Sequence, residues 1–235
     1  MKYSTLATDY DGTIAHDGIV SDDTIASLER FRASGRTLIL VTGRELDELL
    51  VVCPRLDLFA RVVAENGALL YRPSDGTRKE LSPAPPKALL EELHKRQVPF
   101  SAGRSIVATV EPYELAVFAS IRDLGLEWHV IFNKGAVMAL PSNITKATGL
   151  TVALKELDIA ADNVVGVGDA ENDHAFLRMC KLSVAVDNAL PSLKETVDWQ
   201  TPAARGAGVS QLIDLMLAND LDKIAIDPQQ HDRAS

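Results

Sequence analysis

Asp9-Tyr10-Asp11-Gly12-Thr13 follows a short apolar run, Tyr3 to Thr8, that reads as a buried strand. Two carboxylates two residues apart, with a Gly-Thr turn after them, stand at the carboxyl end of that strand. In an open α/β sheet this is the edge where ligands bind. Residues i and i+2 of an extended chain point to one face, so both acids can reach one small volume. Two like charges that close demand a raised pKa or a cation. Hard oxygen ligands suit Mg²⁺, a metal that favours phosphate-rich partners. The competing reading is a solvated Asp-x-Asp-Gly turn, and the rest of the chain decides between the two.

Working outward, Ser21-Asp22-Asp23 followed by Ile25, Leu28 and Phe31 reads as a capped helix with Gly35 just past its end. Thr37 to Val41 is a continuous apolar run, as expected of a strand covered on both faces. Thr42-Gly43-Arg44 and a helix over about 45–52 follow it. A short strand, 62–64, runs into Glu65-Asn66-Gly67-Ala68, and a hairpin over 68–81 turns at Ser74-Asp75-Gly76. The strand–helix alternation resumes after residue 141, with helices over 145–157, 171–179 and 209–217. Strands at 163–167 and 182–186 end in Gly168-Asp169 and Asp187-Asn188-Ala189. This pattern predicts an α/β fold with a doubly wound, Rossmann-like parallel sheet.

Between the two halves lies a different composition. Three prolines at 83, 85 and 86 forbid a continuous element. Beyond them come a helix (87–96), a strand (105–110), a helix opened by Pro112, and two strands (127–132 and 136–140) joined at Asn133-Lys134-Gly135. The expected organisation is a discontinuous core of residues 1–81 and 142–222 with a small α+β insert, 82–141. A polar tail, 223–235, is expected to be disordered. The insert is balanced in charge, so the core carries the whole net charge of −9. That deficit disfavours binding to a nucleic acid backbone but accommodates a small phosphorylated ligand neutralised locally by a metal. With 46% hydrophobic residues in short, interrupted runs, the chain has ample core material and no membrane span or signal peptide. Cys53 and Cys180, far apart and outside any Cys-x-x-Cys, read as free thiols of a cytoplasmic protein.

Three strand ends thus carry polar signatures: Asp9/Asp11, Thr42-Gly43-Arg44, and Gly168-Asp169-Ala170-Glu171-Asn172-Asp173. In one parallel sheet they meet on one edge. Together with Lys146, in order along the chain, they resemble the four motifs of the haloacid dehalogenase superfamily. The insert between the second and third motifs, with Asn66-Gly67-Ala68 before it and Asp187-Asn188-Ala189 near the end, resembles the Cof-type branch, which carries an α+β cap of the second class. The likeness spans residues 3–217.

The resemblance implies a Mg²⁺-dependent phosphomonoester hydrolase acting on a small phosphorylated metabolite, a sugar phosphate or a short acid such as phosphoglycolate. In it, Asp9 is the nucleophile that forms an aspartyl-phosphate. Asp11 is the general acid and then base, its backbone carbonyl also binding the metal. Lys146 stabilises the carboxylate and the transferring group. Asp9, Asp11, Asp169 and Asp173 make up the metal set. Thr42 and the Gly43 amide bind phosphoryl oxygens at a helix start, Asn172 orients the phosphate side, and Asn66 and Asn188 are substrate-side or supporting positions. Lys134 and Lys155 compete with Lys146 for its role, and Thr42 also suits a helix cap. His16 and His174 lie beside motifs, whereas His94 and His231 read as surface residues. Arg104, Trp128, His129, Asn133 and Lys134 are the insert's substrate-contact candidates, with Trp128 and Phe132 also reading as core. Ser82–Pro86 and Pro141–Asn143 are the expected hinges, and the protein is expected to be a monomer or homodimer.

Three other activities share parts of this pattern. A phosphomutase would use the same intermediate. A haloacid dehalogenase needs neither the second aspartate nor the metal pair, so Asp11, Asp169 and Asp173 argue against it. A non-catalytic sensor or partner-binding domain would be marked by a lost catalytic group, and none is lost.

Overall fold

The computed structural model describes residues 2–222; the tail at 223–235, with His231, lies outside them. Strand β1 (Thr5–Thr8) is buried along its whole length. A short hairpin, β2 (Ala15–His16) and β3 (Ile19–Val20), follows the first motif, and α1 (Asp22–Ala33) starts at Ser21, whose side chain accepts from the Thr24 amide. Next come β4 (Thr37–Val41), α2 (Leu46–Val52), β5 (Arg61–Ala64) and the hairpin β6 (Leu69–Arg72) and β7 (Thr77–Glu80). The inserted segment supplies α3 (Lys87–Lys95), β8 (Ser101–Ala102), β9 (Val107–Val110), α4 (Glu114–Asp123), β10 (Trp128–Asn133) and β11 (Ala136–Pro141). The chain then returns through α5 (Lys146–Leu157), β12 (Val164–Gly168), α6 (His174–Met179) and β13 (Leu182–Ala185). It finishes with α7 (Pro191–Lys194), β14 (Trp199–Gln200) and α8 (Arg205–Asn219).

The main sheet runs β14-β13-β12-β1-β4-β5-β6-β7. All pairings from β14 to β5 are parallel, and the β5–β6 and β6–β7 pairings are antiparallel. The chain leaves β1 toward β4 and later returns to its other side with β12, so strand order reverses at β1. A crevice opens at such a reversal, outside the carboxyl ends of the strands. That places Asp9 and Asp11, immediately after β1, at the natural ligand position of the fold.

The insert forms its own four-stranded antiparallel sheet, β10-β11-β9-β8. Side chains alternate across it. Val107, Val137 and Ala139, with Trp128, Val130 and Phe132, pack on Leu89 and Leu93 of α3 and Val117 and Ile121 of α4. Ile106, Met138 and Leu140, with Ala108 and Ile131, face the other way onto Ala68 and Ile144. Each fully buried Leu or Val contributes about 1.5–3 kcal/mol through apolar burial, so the insert has a core of its own. Its second face is pressed on the motif-bearing edge of the main sheet.

Most predicted elements appear within one or two residues, and the differences have local causes. The last helix begins at Arg205 rather than 209, because Gly206 and Gly208 depress helical propensity and hide its first turn in the sequence. The helix expected over 171–179 is a tight turn at Glu171–Asp173 followed by α6. The strand expected at 105–110 is shorter, and β2, β3, β8, α7 and β14 went unread because two to four residues carry no periodicity.

Candidate active site

The two ends of the chain's α/β pattern converge on Lys146. It is the first residue of α5, whose N-terminus is fixed by reciprocal bonds between Thr145 and Thr148. Its side chain is 1% exposed. Its Nζ donates to Asp9 Oδ1 at 2.6 Å and to Asp173 Oδ1 at 2.6 Å. Asp173 Oδ2 in turn accepts from the amides of Asp169 (2.8 Å) and Ala170 (2.9 Å), folding the loop after β12 around its own acid. Asp169 receives the Thr13 hydroxyl at 3.4 Å and the Lys134 ammonium, which arrives from the β10–β11 turn of the insert. Lys155, by contrast, is exposed on the far part of α5.

Carboxylate oxygens of Asp9, Asp169 and Asp173 lie within 4.8 Å of one another, and all three residues are buried. Burial pushes the Asp9 carboxyl up to about 8; Lys146 pulls it down, and Asp173 and Asp169 push it further up. Burial also raises Asp169, against the pull of Lys134. Burial opposes the charge on Lys146, but Asp173 and Asp9 outweigh it and hold its pKa above the ordinary value. Three buried acids crowd one buried ammonium and one partly exposed one, so the cluster is short of positive charge. Its ligand atoms are hard oxygens, and among the described residues no donor reaches the buried Asn172 Oδ1. This set fits a hard divalent cation.

Asp11 is not in that trio. Its two oxygens accept from Arg44 Nε (2.6 Å) and Nη2 (2.8 Å), a bidentate pair whose guanidinium also meets Glu48 and lies 5.6 Å from the Tyr10 ring centre. Arg44 therefore aims the Asp11 side chain. Thr42 and Gly43 sit at the end of β4, and their loop is zipped to the one after β5: the Thr42 amide donates to Val63 O, and the Asn66 amide donates to Thr42 O. Thr42 does not cap α2, because that position is taken by Glu45; its hydroxyl accepts instead from the Arg44 amide at 3.1 Å. The helix thus starts three residues beyond Gly43. A Cβ on Gly43 would lie 3.2–3.4 Å from the Asn66 and Asn172 amide groups, which are themselves joined at 3.0 Å. Asn188 donates to Gly12 O at 2.8 Å and accepts from the Arg205 amide at 2.7 Å.

Of the insert's candidates, Asn133 and Lys134 reach the edge. They line an open cleft of about 280 Å³ together with Asp11, Gly12, Arg44 and Arg205. Trp128 packs on the helical side of its sheet, away from the edge. Arg104 turns to Asp47 and Glu80. His129 is half-buried, and burial lowers its pKa. His16 lines the cleft beside Asp17, His174 bonds Thr196, and His94 is exposed against Phe100. Two contributors escape the sequence reading. Buried Glu65 accepts from the Arg104 and Ser105 amides and ties the insert to the core. Arg205 belongs to no motif; its one signal is its place after β14, at the same sheet edge.

The family model for haloacid dehalogenase-like hydrolases matches residues 6–114 and 121–213. The chain is 28% identical over 225 residues to phosphoglycolate phosphatase 2 of Saccharolobus solfataricus, covering 93% of this chain and 94% of the relative. It is 29% identical over 218 residues to a phosphoglycolate phosphatase of Methanothermobacter thermautotrophicus, covering 88% and 96%. Among solved structures, a haloacid dehalogenase subclass IIB sugar phosphatase superposes with a TM-score of 0.73 at 19% identity, covering 90% of this chain and 98% of that one. Among the described residues, no helix is long and apolar enough to cross a membrane.

Proposed function

Given that the chain belongs to the haloacid dehalogenase-like hydrolases, and to their Cof-type phosphatases, we propose that it hydrolyses a short phosphorylated acid of the phosphoglycolate class through a phosphorylated Asp9. The observation that carries this reading is Lys146 held between Asp9 and Asp173 at 2.6 Å each, next to a third buried acid. The curated relatives support the substrate class by what they are named for.

In the proposed sequence, a carboxylate oxygen of Asp9 attacks phosphorus and the ester P–O bond breaks. The departing alkoxide takes a proton from the Asp11 carboxyl, which would have to give up one of its two Arg44 bonds to carry that proton. Water then attacks the phosphorus, Asp11 takes its proton, and the bond to Asp9 breaks, returning the carboxylate and releasing inorganic phosphate. Asp9 must be ionised to attack, and Lys146 favours that form. Asp9, Asp169 and Asp173, with the Asp11 backbone carbonyl, would hold Mg²⁺, which supplies charge neutralisation on the phosphoryl oxygens when bound. Thr42, Gly43 and Asn172 would bind those oxygens, with Asn66 supporting Asn172 and Asn188 supporting the Gly12 turn. Residues 82–141 would act as a cap that closes on the site and excludes water, hinged at 82–86 and 141–143. Glu65 would latch the cap through the Arg104 and Ser105 amides.

Phosphate release from a panel of small phosphomonoesters tests the reading, with Mg²⁺ and with EDTA. Release is expected to need Mg²⁺ and to vanish in D9N. Transfer of the phosphoryl group to a second hydroxyl, without net release, would instead identify a phosphomutase.

A further inference from the structure

The leaving group must face Asp11 to receive its proton, and Asp11 lines the cleft of about 280 Å³. Whatever distinguishes one phosphoester from another is therefore read in that cleft. Its cations are unequal. Arg44 is occupied by Asp11 and Glu48. Lys134 pairs with Asp169 and so belongs to the metal side of the site, where a bound cation would compete for the same carboxylate. Arg205 lines the same cleft, and among the described residues no carboxylate pairs with its guanidinium. The acid facing the group from the β2–β3 turn, Asp17, lies beside His16 at 3.5 Å.

Arg205 is also held in place. It opens α8 in the left-handed region (φ 52°), and its amide donates to Asn188, which itself grips the carbonyl of Gly12. The backbone that carries the arginine is thus bonded, through one side chain, to the loop that carries Asp11. An arginine that no carboxylate pairs with among the described residues, set in a small polar cleft and tied to the catalytic loop, suits planar bidentate recognition of a carboxylate.

We propose that Arg205 selects the substrate by pairing with a carboxylate on its leaving group, which makes a phosphorylated short hydroxy acid, rather than a neutral sugar phosphate, the preferred class. The inference rests on the hydrolase reading, in that the leaving group is placed by Asp11. Arg205 touches no reacting atom in this account. It acts on substrate binding.

Phosphoglycolate and ethyl phosphate differ by a carboxylate against a methyl group and provide the test. In the wild type, kcat/KM should favour phosphoglycolate. In R205Q that preference should fall by tenfold or more, carried mainly by KM, and R205K should recover part of it. Equal losses on both esters, or an unchanged preference, would overturn the inference and leave the hydrolase reading intact. Binding of the two esters to D9N and to D9N/R205Q by calorimetry gives the answer independently of turnover. Loss of phosphoglycolate's binding advantage in the double variant supports the pairing, and equal affinity of both esters for D9N overturns it. If the wild type releases phosphate from neither ester nor any other, the hydrolase reading fails, and the calorimetry still decides the role of Arg205.

Discussion

Replacing Asp9 with asparagine should stabilise the metal-free protein, and more so as pH rises. The Asp9 carboxyl is pushed from its ordinary 3.8 to about 8, by burial first and by the neighbouring Asp173 and Asp169, with Lys146 opposing. Between those values the folded state holds a proton that the unfolded chain has released, so wild-type stability falls as pH rises through that window. The fall starts near pH 4 and is complete above pH 8. At 1.36 kcal/mol per pH unit the upper bound is about 6 kcal/mol. Water penetration and relaxation of the coupled acids reduce it, and about 2–3 kcal/mol is the working expectation. An asparagine has no such titration, and Lys146 keeps Asp173 as a partner. For a chain of this size 1 kcal/mol corresponds to roughly 2–4 °C in Tm. Melts in EDTA should therefore show D9N and wild type alike near pH 4, diverging to about 5–10 °C by pH 8.5. Groups that do not interact with Asp9 cancel in the difference. Parallel curves across that range would refute the claim that Asp9 is held against ionisation by its surroundings.

Mg²⁺ added at pH 7.5 should raise the wild-type Tm, with about 2.7 kcal/mol of stabilisation at a hundredfold excess over Kd; an equal rise in D169N would contradict the assignment of Asp169 to the metal. R44M removes the bidentate pair that aims Asp11, and kcat should fall roughly 10–100-fold with little change in KM, as expected for a mispositioned general acid; an unchanged kcat in steady-state assays would show that Asp11 needs no such guide. E65A leaves the buried Ser105 amide without its acceptor, at about 1–3 kcal/mol, and hydrogen exchange at 104–106 should speed up; unaltered exchange there would remove Glu65 as the latch. G149A places a Cβ 2.4 Å from Val63 Cγ1 and 2.6 Å from Gly67 Cα, so α5 must shift and carry Lys146 with it; a melting temperature and activity equal to wild type would contradict this packing.

The sheet was legible because its strands are buried on both faces and read as continuous apolar runs, as in Thr37–Val41. The site was legible because each motif follows such a strand, and parallel strands bring their carboxyl ends to one edge. What the sequence hides is direction. Trp128 and Lys134 lie six residues apart on one hairpin, yet one packs on the insert's helices and the other reaches Asp169. Period-two alternation separates the faces of β10, but nothing local says which face meets the core. Glu65 and Arg205 were missed for the same reason, since their roles depend on partners 40 and 17 residues away. The final helix shows the other limit: glycines at 206 and 208 mask a first turn that tertiary packing restores.

The central claim is that Asp9 becomes phosphorylated. Quenching the enzyme in acid during turnover of phosphoglycolate, reducing with borohydride and mapping peptides by mass spectrometry tests it directly, because reduction converts an aspartyl-phosphate to homoserine. Homoserine at position 9, dependent on both substrate and Mg²⁺, is the result the account predicts. Steady phosphate release with no homoserine at that position would contradict it.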